Sequence, residues 1–131
     1  MLDERRSFKR FDIPLDVEFK ISNSSENYLA GKTINFSRTG LCLESHAIAP
    51  NINEVTEIKI KLPEKETFTT AVCDVAWQRR VDDKFMMGIK LMAMDKEAKN
   101  EILQYGYDLW LKKMRSEALI LLLNNKLLFI L

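Results

Sequence analysis

The sequence predicts a mainly β fold, a small antiparallel barrel or sandwich, followed by one C-terminal α-helix. Apolar and polar residues alternate from Ile13 to about Leu62 and again in two later segments. A period of two is typical of strands with one buried face, and the turn residues between these short runs favour an antiparallel arrangement. After Asp95 the apolar residues recur at helical spacing instead.

The first half of the chain contains four predicted strands, each bounded by turn-forming residues. They cover residues 13–21, 28–34, 41–44 and 58–62. Residues 35–40 are the predicted bend between the second and third strands. Pro63 ends the fourth strand, since proline donates no hydrogen bond to a sheet.

Two further strands and a helix complete the predicted fold. Residues 68–77 and 85–92 are the strands, joined by a short charged turn through Arg79, Arg80, Asp82 and Asp83. Asp95 is a suitable N-cap for a helix that runs from Lys96 to about Ser116. One apolar stripe of this helix is expected to pack on the strands, and it consists of Ala98, Ile102, Tyr105 and Leu109.

A second stripe on this helix and an apolar tail have no partner in such an arrangement. The stripe consists of Leu103, Tyr107, Trp110 and Met114. The tail is apolar over residues 118–123 and 127–131. It is too short for a membrane span, which needs roughly 20 apolar residues. Folding back on the domain and shallow membrane insertion are alternatives, but we expect a homo-oligomer through the helix and tail, because exposed apolar patches associate.

Composition narrows the functional classes. The chain of 131 residues is the size of one domain. Its net charge of +1 provides no general attraction for nucleic acid, so we expect no nucleic-acid partner. Cys42 and Cys73 lie in apolar runs, and no apolar signal segment opens the chain. We therefore expect free buried thiols and a cytoplasmic location.

Catalysis and metal binding lack candidate residues. His46 is the single histidine, and no serine, cysteine or carboxylate is spaced with it for nucleophilic catalysis. Two cysteines and one histidine without ligand spacing do not predict a metal site. We expect a protein that is not an enzyme and that needs no metal or cofactor.

Two polar motifs stand out as a candidate site for an anionic, guanine-bearing ligand. Residues 5–10 contain four cations within six positions. Arginine forms forked hydrogen bonds with phosphate or with the O6/N7 edge of guanine. Residues 35–40 place an asparagine and a serine ahead of a glycine, so that short polar groups lie on a bend that a ligand can approach.

The order and spacing of these motifs carry a family resemblance. Arg6-x-x-x-Arg10 is followed by Asn35-x-Ser37-x-x-Gly40 on a chain of short strands that ends in a helix. This combination resembles the PilZ domain, a bacterial receptor module for cyclic di-GMP, over about residues 4–116. Further agreement comes from Leu41, Leu43, Val75-x-Trp77 and Gly88-Ile89-Lys90-Leu91.

The resemblance implies a six-stranded barrel with the helix packed against it, no catalysis, and cyclic di-GMP as the ligand. It implies that Arg6 and Arg10 grip phosphates and guanine, while Asn35 and Ser37 contact a guanine edge and Gly40 keeps the bend open. It also divides the chain into a mobile N-terminal motif segment (1–11), the PilZ-like barrel with its helix (12–116) and the apolar tail (117–131).

Three further arginines are candidate ligand contacts. Arg5 precedes the first motif arginine, and an arginine there resembles family members that bind an intercalated pair, which implies two ligands per chain. Arg38 lies within the second motif. Arg79, two residues after Trp77, either reaches the same barrel face or is a solvated turn charge.

The motifs also suggest how a signal is transmitted. The N-terminal segment is polar, so ordering it over a ligand costs conformational entropy. We expect the ligand to order residues 5–10 onto the barrel and thereby to create or remove a surface for an unknown downstream protein. The alternative is a PilZ-like protein-interaction module that binds no nucleotide.

Overall fold

The computed structural model of the chain describes residues 9–21, 28–46 and 55–130. Within these ranges the prediction of a mainly β fold with a C-terminal helix is confirmed. The elements are β1 (Phe11–Asp12), β2 (Asp16–Ile21), β3 (Leu29–Phe36), β4 (Gly40–Ser45), β5 (Val55–Lys61), β6 (Phe68–Val81), β7 (Lys84–Met94) and α1 (Lys96–Ile130).

Six of the strands close into a barrel, as the family resemblance implies. The order is β3-β2-β5-β6-β7-β4, and β4 pairs again with β3 to complete the circle. Every pairing is antiparallel. The short β1 is an additional strand that pairs with the end of β3. Closure leaves the six strands with a shared interior, so alternate side chains point into one core.

The core consists of aliphatic and aromatic side chains from all six barrel strands and from α1. Each of the larger members contributes roughly 1.5–3 kcal/mol by its burial. The largest of those that are fully buried are Phe19, Phe36, Ile13, Leu43, Ile58, Ile60, Met87 and Ile102. Cys42 and Cys73 are buried free thiols, as predicted, and burial raises the pKa of Cys73 to about 12.

The first predicted strand is interrupted. Residues 13–15 separate β1 from β2. The buried hydroxyl of Thr33 pairs with two backbone groups of this stretch. It accepts a hydrogen bond from the N–H of Leu15 at 2.7 Å and donates one to the carbonyl of Ile13. Alternation alone does not reveal this break, because Ile13 and Leu15 remain buried across it.

The hairpin between β6 and β7 differs from the prediction. The predicted charged turn is confirmed at Asp82 and Asp83 but wrong at Arg79 and Arg80, because both arginines lie within β6. The turn consists of Asp82 and Asp83, and Asp82 has a φ of 56°. Arg80 pairs in register with Phe85, and its guanidinium lies 4.7 Å from the centre of that ring.

Helix α1 begins as predicted but ends later. Asp95 caps it by accepting a hydrogen bond from the backbone N–H of Ala98 at 2.9 Å. Gly106 allows close packing on the N-terminal segment, since a Cβ there would lie 2.5 Å from Ile13 Cδ1. The helix does not stop near Ser116 but continues to Ile130.

The second half of α1 projects beyond the barrel into solvent. Every residue from Lys112 to Lys126 is exposed, including five consecutive apolar residues from Leu119 to Leu123. The alternative in which the tail folds back on its own domain is therefore wrong for residues 117–126. Within the described ranges, none of the helical sequence is apolar for long enough to traverse a bilayer.

Candidate functional site

A depression of about 280 Å³ lies on the outer surface of the barrel, where strands β3, β4, β6 and β7 are neighbours. Four residues from the two sequence motifs meet there, although they are far apart in the chain. The lining residues are Arg10, Asn35, Ser37, Thr39, Gly40, Leu41, Cys42, Ala76, Trp77, Gly88, Ile89 and Lys90.

The floor of the depression is one row of residues across four strands. Asn35 on β3 pairs with Cys42 on β4, which pairs with Gly88 on β7, which pairs with Trp77 on β6. Directly opposed residues in an antiparallel sheet lie on the same face. Strand register therefore places the side chains of Asn35, Cys42 and Trp77 in one row on the outer face, with Gly88 leaving a gap between the last two.

Asn35 points outward because of an irregularity in β3. The register with β4 shifts between Thr33 and Asn35, and such a bulge changes the face that following side chains occupy. Thr33 and Phe36 are buried, whereas Asn35 is only partly covered. Asn35 lines the depression, where its amide carries both a hydrogen-bond donor and an acceptor.

Ser37 and Gly40 stabilise the bend by hydrogen bonds to each other. The Ser37 hydroxyl donates to the Gly40 carbonyl at 3.1 Å and accepts from the Gly40 N–H at 3.2 Å. Gly40 is the first residue of β4 and does not have a positive φ. A Cβ there would lie 2.4 Å from the Ile89 carbonyl oxygen, so close packing against β7 explains this glycine better than an open bend.

Trp77 forms one wall of the depression and lies over Gly88. A Cβ on Gly88 would fall 2.1 Å from Trp77 Nε1, so the glycine makes the space that the indole occupies. The indole is 43% exposed, which leaves part of its face free for stacking. The Arg79 guanidinium lies 5.8 Å from the centre of the Trp77 ring.

Positive charge converges on the depression. Burial raises the pKa of the Cys42 thiol, while the guanidinium groups of Arg10 and Arg79 act in the opposite direction. Both arginines are thus close enough to influence the floor electrostatically, and Lys90 also lines it. An anion bound here would meet cations from the N-terminal segment and from two barrel strands.

One predicted site residue, Arg38, lies away from the depression. Arg38 lines a different cavity of about 360 Å³, shared with Lys9, Phe11 and helix α1. Arg5 and Arg6 lie outside the described residues. The structure therefore brings together Arg10, Asn35, Ser37 and Gly40, with Arg79 nearby, and separates Arg38 from them.

Among the lining residues that the sequence analysis did not predict as part of the site are Cys42, Trp77 and Lys90. Their proximity follows from strand register, which a single sequence does not reveal. One signal was present: a tryptophan and an interrupting glycine in two successive predicted strands, a pattern that suggests an aromatic ring packed over the gap. Among the residues that the structure describes, no group of acidic, histidine or cysteine side chains is arranged to hold a metal ion.

The short segment Lys9–Arg10–Phe11 connects the depression with helix α1. Arg10 lines the depression. The Lys9 ammonium lies 3.8 Å above the Trp110 ring, and the Phe11 ring packs edge-on against Tyr107 with 6.4 Å between centroids. Part of the second apolar stripe of α1 is thus covered by this segment.

A family profile described as PilZ domain matches residues 4–108, most of the chain. The match includes both sequence motifs and every strand described above, and it ends within α1 at Asp108. No curated protein matches the chain.

Solved structures have the same fold. The inhibitor of motility (MotI/DgrA) from Bacillus subtilis aligns with a TM-score of 0.67 and 20% identity, over 85% of this chain and 54% of that one. The PilZ domain of YcgR from Escherichia coli with c-di-GMP has a TM-score of 0.61 and 14% identity, over 88% and 98% of the two chains. YcgR in complex with c-di-GMP gives 0.64 and 12%, over 87% and 49%. This chain therefore spans about half the length of MotI and of YcgR.

Proposed function

Since this chain belongs to the PilZ domain family, we propose that it is a receptor for cyclic di-GMP and that the depression is its binding site. One observation carries the proposal: Arg10, Asn35, Ser37 and Gly40, predicted from two separate motifs, line the same depression. The YcgR structures that share the fold contain c-di-GMP, which supports the same ligand here.

The chemistry of the lining residues suits a guanine dianion. Arg10, together with Arg5 and Arg6 of the same motif, would form forked hydrogen bonds with phosphates or with the Hoogsteen edge of guanine. The Asn35 amide offers a donor and an acceptor to a purine edge. The exposed part of the Trp77 ring offers a stacking surface.

Useful affinity requires several of these contacts together. Micromolar binding corresponds to about −8 kcal/mol, whereas one bidentate arginine contact contributes roughly 1–3 kcal/mol. An open surface depression of about 280 Å³ therefore needs the N-terminal arginines in addition to the barrel floor. This requirement supports a site that is completed when the N-terminal motif closes over the ligand.

The segment from Lys9 to Phe11 can transmit that closure to helix α1. Arg10 lines the depression, while its neighbours on both sides contact Tyr107 and Trp110 of α1. A ligand that draws the backbone of Arg10 inward would displace Lys9, which precedes it in the chain, and would strain the pairing of Phe11 with Phe36. We infer that binding alters the contact between the N-terminal segment and α1, and so changes the surface offered to a downstream protein.

Calorimetric titration with cyclic di-GMP tests the site. Arg10→Ala and Arg6→Ala are each expected to weaken binding roughly ten- to hundredfold. Arg80→Ala is the matched control, since it removes the same charge from β6 at a residue that does not line the depression. Failure of the wild type to bind would leave the interaction-module alternative, and equal losses in the control would refute the site.

The same titration measures stoichiometry. Arg5 implies two ligands per chain, so we expect a ratio near two for the wild type and near one for Arg5→Ala. A ratio near one for both proteins would refute that role of Arg5 without affecting the site.

Signal transmission needs a measurement on the helix. In a Trp77→Phe variant, Trp110 is the sole tryptophan, and its emission is expected to shift when ligand is added. Hydrogen exchange is expected to slow across residues 4–12. If both remain unchanged at saturating ligand, the N-terminal segment does not respond and the proposed transmission is wrong.

The proposal includes the partners and the compartment. Self-association through the C-terminal helix would present the receptor as a homo-oligomer to an unknown downstream protein. Two free thiols fit the reducing cytoplasm of a bacterium.

A further inference from the structure

The part of α1 that projects beyond the barrel, here called the arm and defined as residues 111–126, exposes much apolar surface. Leu121 is 63% exposed and Leu123 is 51% exposed, and no residue from Lys112 to Lys126 is covered. Isolated helices of this length are marginal in water, and helical stability comes mostly from packing of an apolar face. The arm therefore needs a partner surface.

One face of the arm has coiled-coil spacing. Leu111, Met114, Ala118, Leu121 and Asn125 follow one another at alternating intervals of three and four residues. With 3.6 residues per turn, the five fall within an arc of about 80°. Alternating intervals of this kind mark the a and d positions of a heptad repeat. We call these five residues the seam.

Charges are arranged so that pairing along the seam buries none of them. Arg115 and Glu117 lie on its two flanks, about 40° outside the arc. The other charged residues of the arm are farther round the helix, and they are Lys112, Lys113 and Lys126. Burial of an unpaired charge would oppose association strongly, and this arrangement avoids it.

Asn125 distinguishes a second copy from a lipid surface as the occupant. It lies on the seam itself, where insertion into hydrocarbon would leave its amide without hydrogen-bond partners. Against an identical helix, the same amide finds a donor and acceptor in its counterpart. A single asparagine at an a position is known to fix register and oligomer state in coiled coils.

We propose that the arm pairs along the seam with the arm of a second copy of this chain, parallel and in register. This pairing specifies the surface for the proposed self-association and rests on it. The parallel direction follows from Asn125, because in a parallel, in-register pair it lies opposite its own counterpart. In an antiparallel pair that overlaps along the whole seam, it would lie opposite Leu111, an apolar residue.

Sedimentation of the full chain tests the seam. Leu121→Asp is expected to weaken association by about tenfold or more, a change of about 1.4 kcal/mol or larger. Leu123→Asp is the matched control: it makes the same substitution two residues later, about 160° from the centre of the seam. A wild type that sediments as a monomer across the micromolar range, or equal losses in the two variants, would overturn the proposal.

Cross-linking tests direction and register. Met114→Cys is expected to form an intermolecular disulfide under mild oxidation, because identical seam residues face each other in a parallel pair. In an antiparallel pair that overlaps along the whole seam, residue 114 would lie opposite residue 122 and would not cross-link to its counterpart. Leu123→Cys is the control that is expected not to cross-link. Cys42 and Cys73 are buried and do not compete. Cross-linking at both positions or at residue 123 alone would overturn the seam.

Two further measurements distinguish pairing of the arm from lipid binding and from the receptor function. Anionic phosphatidylglycerol vesicles are expected not to bind the wild type, and binding that both aspartate variants abolish would identify lipid as the occupant instead. Calorimetry with cyclic di-GMP on Leu121→Asp is expected to give unaltered affinity per chain. A dimer that binds no ligand would refute only the receptor function, and a monomer that binds ligand would refute only the seam.

Discussion

The depression and the arm differ in what holds their side chains in place. In the depression, Asn35, Cys42 and Trp77 are fixed by hydrogen-bonded register across four strands. In the arm, residues are fixed only by the helix to which they belong, and everything around them is solvent. A rigid floor suits recognition of one small ligand, whereas an uncovered helical face suits a surface that is completed by another protein.

The two regions are also connected. The segment Lys9–Arg10–Phe11 contacts the depression through one side chain and α1 through the other two. Tyr107 and Trp110, the residues that it covers, belong to the stripe that precedes Met114 on the same helix. The comparison therefore predicts stability effects that are large in the barrel core, intermediate at the depression, and small at the connecting segment and in the arm.

The largest contrast is expected between two apolar residues of the same helix. Ile102→Ala removes a fully buried side chain that packs in the core, and it should lower the free energy of unfolding by about 2–5 kcal/mol. Leu123→Ala removes an exposed one, and it should change that energy by less than about 0.5 kcal/mol. Urea unfolding of both variants measures the difference, and similar losses would mean that the arm is packed against the domain.

Much of this contrast was readable from the sequence. The stripe of Ala98 and Ile102 predicted which face of α1 packs on the barrel, and both residues are buried. The end of the helix was not readable, because residues 117–123 continue in strong helix formers without a glycine or proline to stop them. The break at residues 13–15 was hidden too, since it depends on the Thr33 hydroxyl from another strand.

Gly40→Ala should have the next largest effect, at the edge of the depression. The new Cβ would lie 2.4 Å from the backbone oxygen of Ile89, which cannot move without separating β4 from β7. Overpacking of this kind costs about 1–3 kcal/mol. Urea unfolding should show that loss, together with weaker binding of cyclic di-GMP. Gly31→Ala, with 2.9 Å to the Glu44 carbonyl and no place in the depression, is the control whose ligand affinity should stay unchanged.

Gly88→Ala should affect the site more than the fold. Its Cβ would lie 2.1 Å from Trp77 Nε1, but the indole is half exposed and has room to turn away. We expect a cost near that of a strained rotamer, about 0.5–1.5 kcal/mol, and a red-shifted emission as Trp77 enters solvent. Unaltered emission in a Trp110→Phe background would show that Trp77 does not depend on the glycine gap.

The membership of the site was partly readable from the sequence, and the reasons are specific. Spacing identified Arg10, Asn35 and Ser37, because these motifs are local in the chain. It did not identify Trp77 as their neighbour, because the position of Trp77 depends on how β6 pairs with β7. That pairing shifts by one residue at Ala76, between Val75 and Trp77. Arg38 shows a related effect: it adjoins Ser37 in sequence but lines a different cavity.

The smallest predicted effect concerns the connection itself. The ammonium of Lys9 lies 3.8 Å above the Trp110 ring, a cation–π contact worth about 0.5–1 kcal/mol at an exposed site. A double-mutant cycle of Lys9→Met and Trp110→Leu should return a coupling energy of that size in urea unfolding, since methionine keeps the aliphatic stem and removes only the charge. A coupling energy near zero would mean that the segment does not hold α1.

The small size of this coupling energy matters for signal transmission, because a ligand shifts a conformation only by its differential affinity for the two states. A tenfold preference of the ligand for the state without the contact, about 1.4 kcal/mol, is enough to break a contact of this strength. Saturating cyclic di-GMP should therefore abolish the coupling energy, and the Arg10→Ala background should preserve it.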